Sequence, residues 1–277
     1  MPDLPTYTAM RYVQPLREGG SLPAVVDTDG GSFVVKFRGA GQGPKALIAE
    51  LIVALLAREL ELRTPDPAII EVPSQFGRSE LDPEIQDLLR GSHGVNMGLR
   101  YLDGAFNFSL AAAHELVTPA FAARLLWLDA FVTNPDRTHK NPNLLVWQRQ
   151  LWLIDHGAAL YAHHDWSNLD AARTRTAFPL IREHVLLSMS DELESVDEEC
   201  AARLSGDTIA SVVDLVPDAL LMDGTSGREF ATAGEARERY VRYLSDRLQG
   251  PRAFVVEAAN ARAAQGREGR HPVPARR

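Results

Sequence analysis

Cysteine is nearly absent from this 277-residue chain, Cys200 being the only one. A disulfide within the chain is therefore excluded, and a cysteine-based metal site is not expected. Long hydrophobic runs are missing too. The longest, Ala46 to Ala57, is broken by Glu50 and falls short of membrane-spanning length; it reads as a buried helix, and no membrane partner is expected. The first residues, Met1-Pro-Asp-Leu-Pro5, lack the basic segment and apolar run of a signal peptide. Basic residues are not in excess: 29 Lys and Arg against 37 Asp and Glu give a net charge of −8, which argues against nucleic acid as a direct partner. A reducing, cytoplasmic setting fits all of this.

Several familiar motifs are also lacking. There is no Gly-x-Ser-x-Gly nucleophile elbow, no Gly-x-Gly-x-x-Gly dinucleotide fingerprint and no His-Glu-x-x-His pair. His163 and His164 are adjacent and would point apart, so zinc is not expected. Gly39 to Lys45 fails as a phosphate-binding P-loop, because Pro44 precedes the lysine and no Ser or Thr follows it.

What is present is a globular composition, 45% hydrophobic and 24% charged, enough for one large domain or two lobes. Residues 1 to about 43 read as a three-stranded antiparallel meander: Tyr7 to Leu16, Ala24-Val-Val26 and Phe33 to Phe37, with a hairpin turn at Asp27 to Gly31. A helix is expected from about Lys45 to Leu62, with Pro44 in its first turn. A strand at Ala68 to Val72, a small helix at Glu84 to Arg90 and a strand at Val95 to Leu102 follow. Thr118 and Pro119 cap a helix through Val132 with an apolar stripe of Phe121, Leu125, Leu128 and Phe131. After an irregular stretch to about Pro179, helices are expected near Ile181 to Met189, Glu192 to Leu204, Asp207 to Val213, Gly234 to Leu248 and from Pro251 to about Ala264. The segregation of strands and helices predicts an α+β, two-lobed fold: a β-rich N-lobe with one helix (residues 1–103), a mostly helical C-lobe (104–264) and a disordered tail (265–277).

The chemistry centres on Thr133-Asn-Pro-Asp-Arg-Thr-His-Lys-Asn-Pro-Asn143 and Leu151-Trp-Leu-Ile-Asp-His-Gly157. Asp136 opens a loop after an apolar helix, and Asn141 follows five residues later. Two short strands joined by the turn Gln148-Arg-Gln150 would return Asp155 beside Asn141. Hard oxygen ligands beside a third carboxylate suit Mg²⁺. Either piece alone reads more readily as a turn; the two in order favour phosphoryl transfer, which needs an orienting carboxylate and two metal ligands.

Lys36 ends an alternating strand. A lone strand lysine is usually solvated, but Glu50 lies in the middle of an apolar helix, where an unpaired charge is costly. A Lys36–Glu50 pair would satisfy the acid and aim the ammonium at phosphates. Gly19, Gly20 and Ser21 lie between the first two strands and could offer backbone N–H groups to phosphate oxygens; a plain hairpin turn is an equal reading.

Val34-Val-Lys-Phe37, Glu50 in its apolar helix, Asn134-Pro-Asp-Arg137 with Asn141, and Ile154-Asp-His-Gly157 resemble the bacterial HipA-like kinases, over roughly residues 10 to 250. The resemblance implies a fold shared with protein and phosphatidylinositol kinases, and an ATP- and Mg²⁺-dependent reaction on serine or threonine of a protein not identified by the sequence. It implies Asp136 as the group orienting the acceptor hydroxyl, Asn141 and Asp155 as Mg²⁺ ligands, Lys36 on the nucleotide phosphates with Glu50 positioning it, and Val95 to Leu102 as the strand entering an adenine-binding hinge. The best-known HipA proteins are toxins paired with an antitoxin, and they act on an aminoacyl-tRNA synthetase. The chain is too short for the toxin's extra N-terminal subdomain, so neither the antitoxin partner nor that target is carried over. Thr138 replaces the His of the lipid-kinase motif and His156 the Phe of Asp-Phe-Gly, and neither change removes a ligand. Two other readings remain: the same fold acting on a small molecule or lipid head group, or transferring AMP, and a nonenzymatic binding module.

Overall fold

A computed structural model of the protein describes residues 4–16, 22–41, 43–78, 80–222 and 229–268. It is a mixed α/β fold. The front of the chain holds β1 (Thr6–Pro15), β2 (Ala24–Thr28), β3 (Gly31–Lys36), β4 (Pro67–Val72) and β5 (Gly94–Arg100). The expected meander is there, β1 to β2 to β3, all antiparallel. It does not stop at three strands. β5 joins β3 and β4, and β4 runs parallel to β1, closing the sheet into a barrel in the order β1-β2-β3-β5-β4. Alternation along β3 turns Phe33 and Val35 into the barrel and Val34 and Lys36 to the other face.

Between β3 and β4 runs α1 (Gly43–Glu59), which is buried on every side. A helix that is apolar all round belongs inside a core, and α1 packs against β4 and β5 as well as the later helices α6 (Gly206–Asp214) and α7 (Asp218–Leu221). Its side chains share one apolar cluster with the helical part of the chain, while the barrel interior forms a separate cluster.

The small helix is α2 (Pro83–Arg90). α3 (Pro119–Phe131) starts as predicted, with Thr118 accepting the Phe121 N–H. It is not striped, however. Trp127 and Asp129 are as deeply buried as Leu125, Leu128 and Phe131, because helices from later in the chain pack around α3. After β6 (Phe106–Asn107), β7 (Leu144–Trp147) and β8 (Gln150–Leu153) form a hairpin. Its loop is two residues, Gln148 and Arg149, both at positive φ (50° and 59°), the twist-matching turn that favours tight hairpins. Gln150, expected in the turn, is the first strand residue.

Further differences lie beyond residue 157. The irregular stretch contains a single-turn helix, α4 (Ala171–Thr174), and the helix expected near Ile181 to Met189 is two 3-10 turns, Pro179–Glu183 and Leu187–Met189; Thr138 and His184 pair there as an isolated bridge, which holds the backbone out of helix. α5 (Leu193–Arg203), α6, α8 (Ala233–Leu248) and α9 (Ala253–Glu268) follow. α9 runs through residues 265–268, placed in the tail by composition; residues 269–277 lie outside the described residues. Among the described residues no helix is long and apolar enough to cross a membrane.

Gly98 sits where β5 and β4 approach closely. A Cβ there would lie 2.8 Å from Ile70 Cγ1 on β4. Gly98→Ala is expected to lower stability by about 1–3 kcal/mol through overpacking, measured by chemical denaturation. A variant as stable as wild type would show that the strands have room to part.

Candidate active site

β3, α1 and the loop after β8 converge on the Lys36 ammonium. Lys36 Nζ donates to Glu50 Oε2 at 2.7 Å and to Asp155 Oδ1 at 2.5 Å. The Glu50 side chain is fully buried and that of Lys36 is 12% exposed. Burial opposes the Lys36 charge, but Glu50 and Asp155 outweigh it and hold its pKa above the ordinary lysine value. Burial likewise opposes the Asp155 charge, and Lys36 outweighs it, holding that carboxyl below its usual range. Glu50 Oε2 also accepts the backbone N–H of His156 at 2.6 Å, so the helix carboxylate fixes both the lysine and the residue after Asp155.

Asp136 sits in a loop tied to itself. Its N–H donates to Asn134 Oδ1 at 3.1 Å. Its Oδ2 accepts from Asn141 Nδ2 at 2.9 Å and from Asn143 Nδ2 at 3.3 Å. With the Asn141 nitrogen used in this way, the amide oxygen is the atom left for a cation. Four non-glycine residues around the site hold left-handed backbone: Thr133 (φ 52°), Asn143 (49°), Asp155 (54°) and Leu160 (56°). Such conformations persist where the surroundings over-determine them.

Lys36, Asp136, Asn141, Asn143 and Asp155 share the wall of one cleft of about 570 Å³ with Val34, Tyr101 and Leu102, a size suited to a nucleotide. A second hollow, between β1 and residues 73–80, contains none of them. The strand expected at Val95 to Leu102 ends at Arg100; Tyr101 and Leu102 form the cleft edge, where the Tyr101 N–H is engaged by Ser32 O (2.9 Å) and Leu102 O by the Ala105 N–H (3.1 Å). Gly19, Gly20 and Ser21 lie outside the described residues. Leu16 and Pro23 on either side of them line the cleft and are joined by a 2.7 Å backbone hydrogen bond.

Sequence reasoning passed over three groups. Asn143 donates to the Asp136 carboxylate and carbonyl, the latter at 3.4 Å, and to Asp155 O at 3.5 Å. Arg137 and Asp129 form a fully buried ion pair, Nε to Oδ2 at 2.6 Å. His184 Nε2 donates to the same Asp129 oxygen at 3.0 Å, while its Nδ1 accepts the Leu186 N–H. Burial opposes the Asp129 charge, yet Arg137 and His184 hold its carboxyl well below the carboxylate range. The signal was available: Asp129 is an acid in an apolar helix, as Glu50 is.

The family model for HipA-like kinases matches residues 13–198, about two thirds of the chain, and spans every residue of this cleft. The chain belongs to the HipA-like kinase family. Membership makes it a phosphotransferase and implies use of ATP. The crystal structure of the Helicobacter pylori proinflammatory kinase CtkA shares the fold, with TM-score 0.57 over 95% of this chain and 99% of that one at 11% identity. No curated protein matches the chain in sequence.

The side chains fit a magnesium ion of the kind such enzymes use. Among the described residues no three or more His, Cys, Asp or Glu form a metal cage. Asp155 and the Asn141 amide oxygen, on the cleft wall with Asp136, are hard oxygens, and such a set is too small to enclose an ion alone. Mg²⁺ is held this way, by one or two protein groups with substrate phosphates and water.

Three buried histidines contribute to the acid sensitivity of the protein. Burial lowers His156 from 6.5 to about 4, and it lowers His163 and His184 as well. Each takes up a proton less readily folded than unfolded, so the unfolded chain is protonated first as pH falls below 6.5. The stability they contribute is therefore fully present above that pH and is lost as pH falls below it. The melting temperature of ligand-free protein is expected to be about 4 °C or more lower at pH 5 than at pH 7.5. An equal or higher value at pH 5 would contradict this effect of burial.

Proposed function

We propose that the chain transfers the γ-phosphoryl group of ATP, with Mg²⁺, to a hydroxyl group, that of serine or threonine on a protein. The observation that carries this is the Lys36 ammonium, bridging Glu50 and Asp155 in the cleft that also holds Asp136 and Asn141. A binding scaffold has no need of a lysine held charged between two carboxylates and aimed into a cavity. In this reading the barrel side (residues 1–103) and the helical side (104–264) act as two lobes about the cleft.

Each residue has one task. Glu50 is anchored in α1 and holds Lys36 extended, so the ammonium meets phosphate oxygens without first being ordered. Asp155 and the Asn141 oxygen would hold Mg²⁺, which when bound neutralises charge on the transferring phosphoryl group. Asp136 stands with Oδ2 fixed by two amides. That leaves Oδ1 to accept the proton of the acceptor hydroxyl and orient its oxygen for attack. Little bond chemistry is asked of the protein, and catalysis is positioning with charge stabilisation.

Asp136→Ala is expected to lower transfer by about 10³-fold or more, a range set by losing both orientation and proton acceptance, while Mg²⁺–ATP still binds. Full transfer in that variant would remove the mechanism. Asp155→Ala is expected to weaken Mg²⁺–ATP binding, read as a smaller thermal shift at fixed ligand; an unchanged shift would take Asp155 out of the metal site. Label from γ- but not α-labelled ATP is expected on protein in a cell lysate, at serine or threonine on acid hydrolysis. Transfer of α-label would mean AMP transfer instead, and γ-label found only in small molecules or lipid would move the acceptor class.

A further inference from the structure

One guanidinium ties the two halves of this site together. The Arg137 side chain is fully buried and donates in three directions. Nε reaches Asp129 on α3 at 2.6 Å. Nη1 reaches the carbonyl of Asn143 at 2.5 Å, with Pro142 O at 3.5 Å. Nη2 reaches His156 Nδ1 at 3.1 Å. Arginine has no acceptor, so Nδ1 is the accepting nitrogen of His156 and the ring proton sits on Nε2.

Both ends of the catalytic geometry hang on these contacts. Asn143, held by its carbonyl, donates its side-chain amide to Asp136 and to Asp155 O. His156, held by its ring, is fixed at its backbone N–H by Glu50. Asp155, the residue before it, is thereby confined to its left-handed conformation. Stability alone does not require this design, since a buried ion pair is often matched by apolar residues of the same shape. A planar fork with donors in three directions does what an apolar cluster cannot: it sets three segments at fixed distances.

We propose that Arg137 is the positioning residue that registers the Asp136 loop against the Asp155-His156 turn, acting through Asn143 and His156 rather than by touching substrate. This rests on the phosphoryl-transfer reading above. Lysine can keep the charge beside Asp129 but cannot reach both the Asn143 carbonyl and His156.

The test is steady-state loss of γ-phosphoryl from Mg²⁺–ATP, to water or protein, in wild type, Arg137→Lys and Asp197→Asn. Asp197 is a control that does not line the cleft: it accepts from Trp127 Nε1 at 2.7 Å and from Arg252 at 2.7 Å. Arg137→Lys is expected to lower kcat by about 30-fold or more, as misplacement of reacting groups does, with the nucleotide KM within about threefold. Asp197→Asn is expected to lose thermal stability yet keep kcat within about threefold of wild type. If Arg137→Lys keeps kcat within that margin, or if Asp197→Asn loses as much kcat for the same loss of stability, the inference is overturned. Should Arg137→Lys not fold, His156 decides. His156→Asn keeps an acceptor for Nη2 and is expected to retain at least about tenfold more kcat than His156→Leu, which leaves a buried donor unpaired; equal rates overturn the inference. Wild type that neither binds nor turns over Mg²⁺–ATP would overturn the kinase reading first, and this inference with it.

Discussion

The Lys36 ammonium is where the protein's parts are forced to agree. It comes from the outer face of a barrel strand. Its partners come from a buried helix and from the loop after a hairpin 119 residues along the chain. A charge this enclosed is tolerated only if both carboxylates are in reach. Barrel, α1 and the β7–β8 hairpin therefore have one mutual arrangement in which the ammonium meets both carboxylates. An α1 apolar on all sides, gripped by sheet and helices together, gives Glu50 no second place to go.

A second buried pair, Asp129 with Arg137, repeats the device from the other side of the site. The two pairs meet at His156, whose backbone N–H is bound to Glu50 and whose ring is bound to Arg137. The turn carrying Asp155 is clamped between them. This accounts for non-glycine residues in left-handed backbone at Asn143 and Asp155. Strain of this kind costs of order 1–3 kcal/mol per residue, and such an outlay persists only where stronger contacts fix the backbone. The kinase fold is thus used here with polar struts. Histidine stands at the position where the motif it resembles has phenylalanine, and it brings a hydrogen-bond acceptor that an aromatic hydrocarbon lacks.

Legibility followed the range of the interaction. Thr118 as a cap, the hairpin that returns Asp155 toward the Asp136 loop, and the α1 and β3 elements were readable because local spacing and capping chemistry set them. Lys36 with Glu50 was readable by one further step, that an acid inside an apolar helix must have a partner. The same step applied to Asp129 points to a buried cation nearby, but Arg137 sits in a motif whose neighbours drew attention to Asp136. The 3-10 turns after Pro179 were read as helix because apolar spacing there is helical; the bridge from His184 to Thr138 is a distant contact that spacing does not encode.

By itself, the sequence determined the kinase family, most of the elements and the identities of the charged groups, because these follow from periodicity, capping and the cost of an unpaired charge. Only the tertiary structure decided that β4 and β5 close the meander into a barrel, that α1 lies in the helical core, and that Arg137 and Asn143 join the two halves of the site. Those outcomes depend on which buried donor meets which acceptor, and on which elements pack together, at separations that residue spacing does not encode. That is a matter of packing in three dimensions, where order along the chain no longer specifies distance.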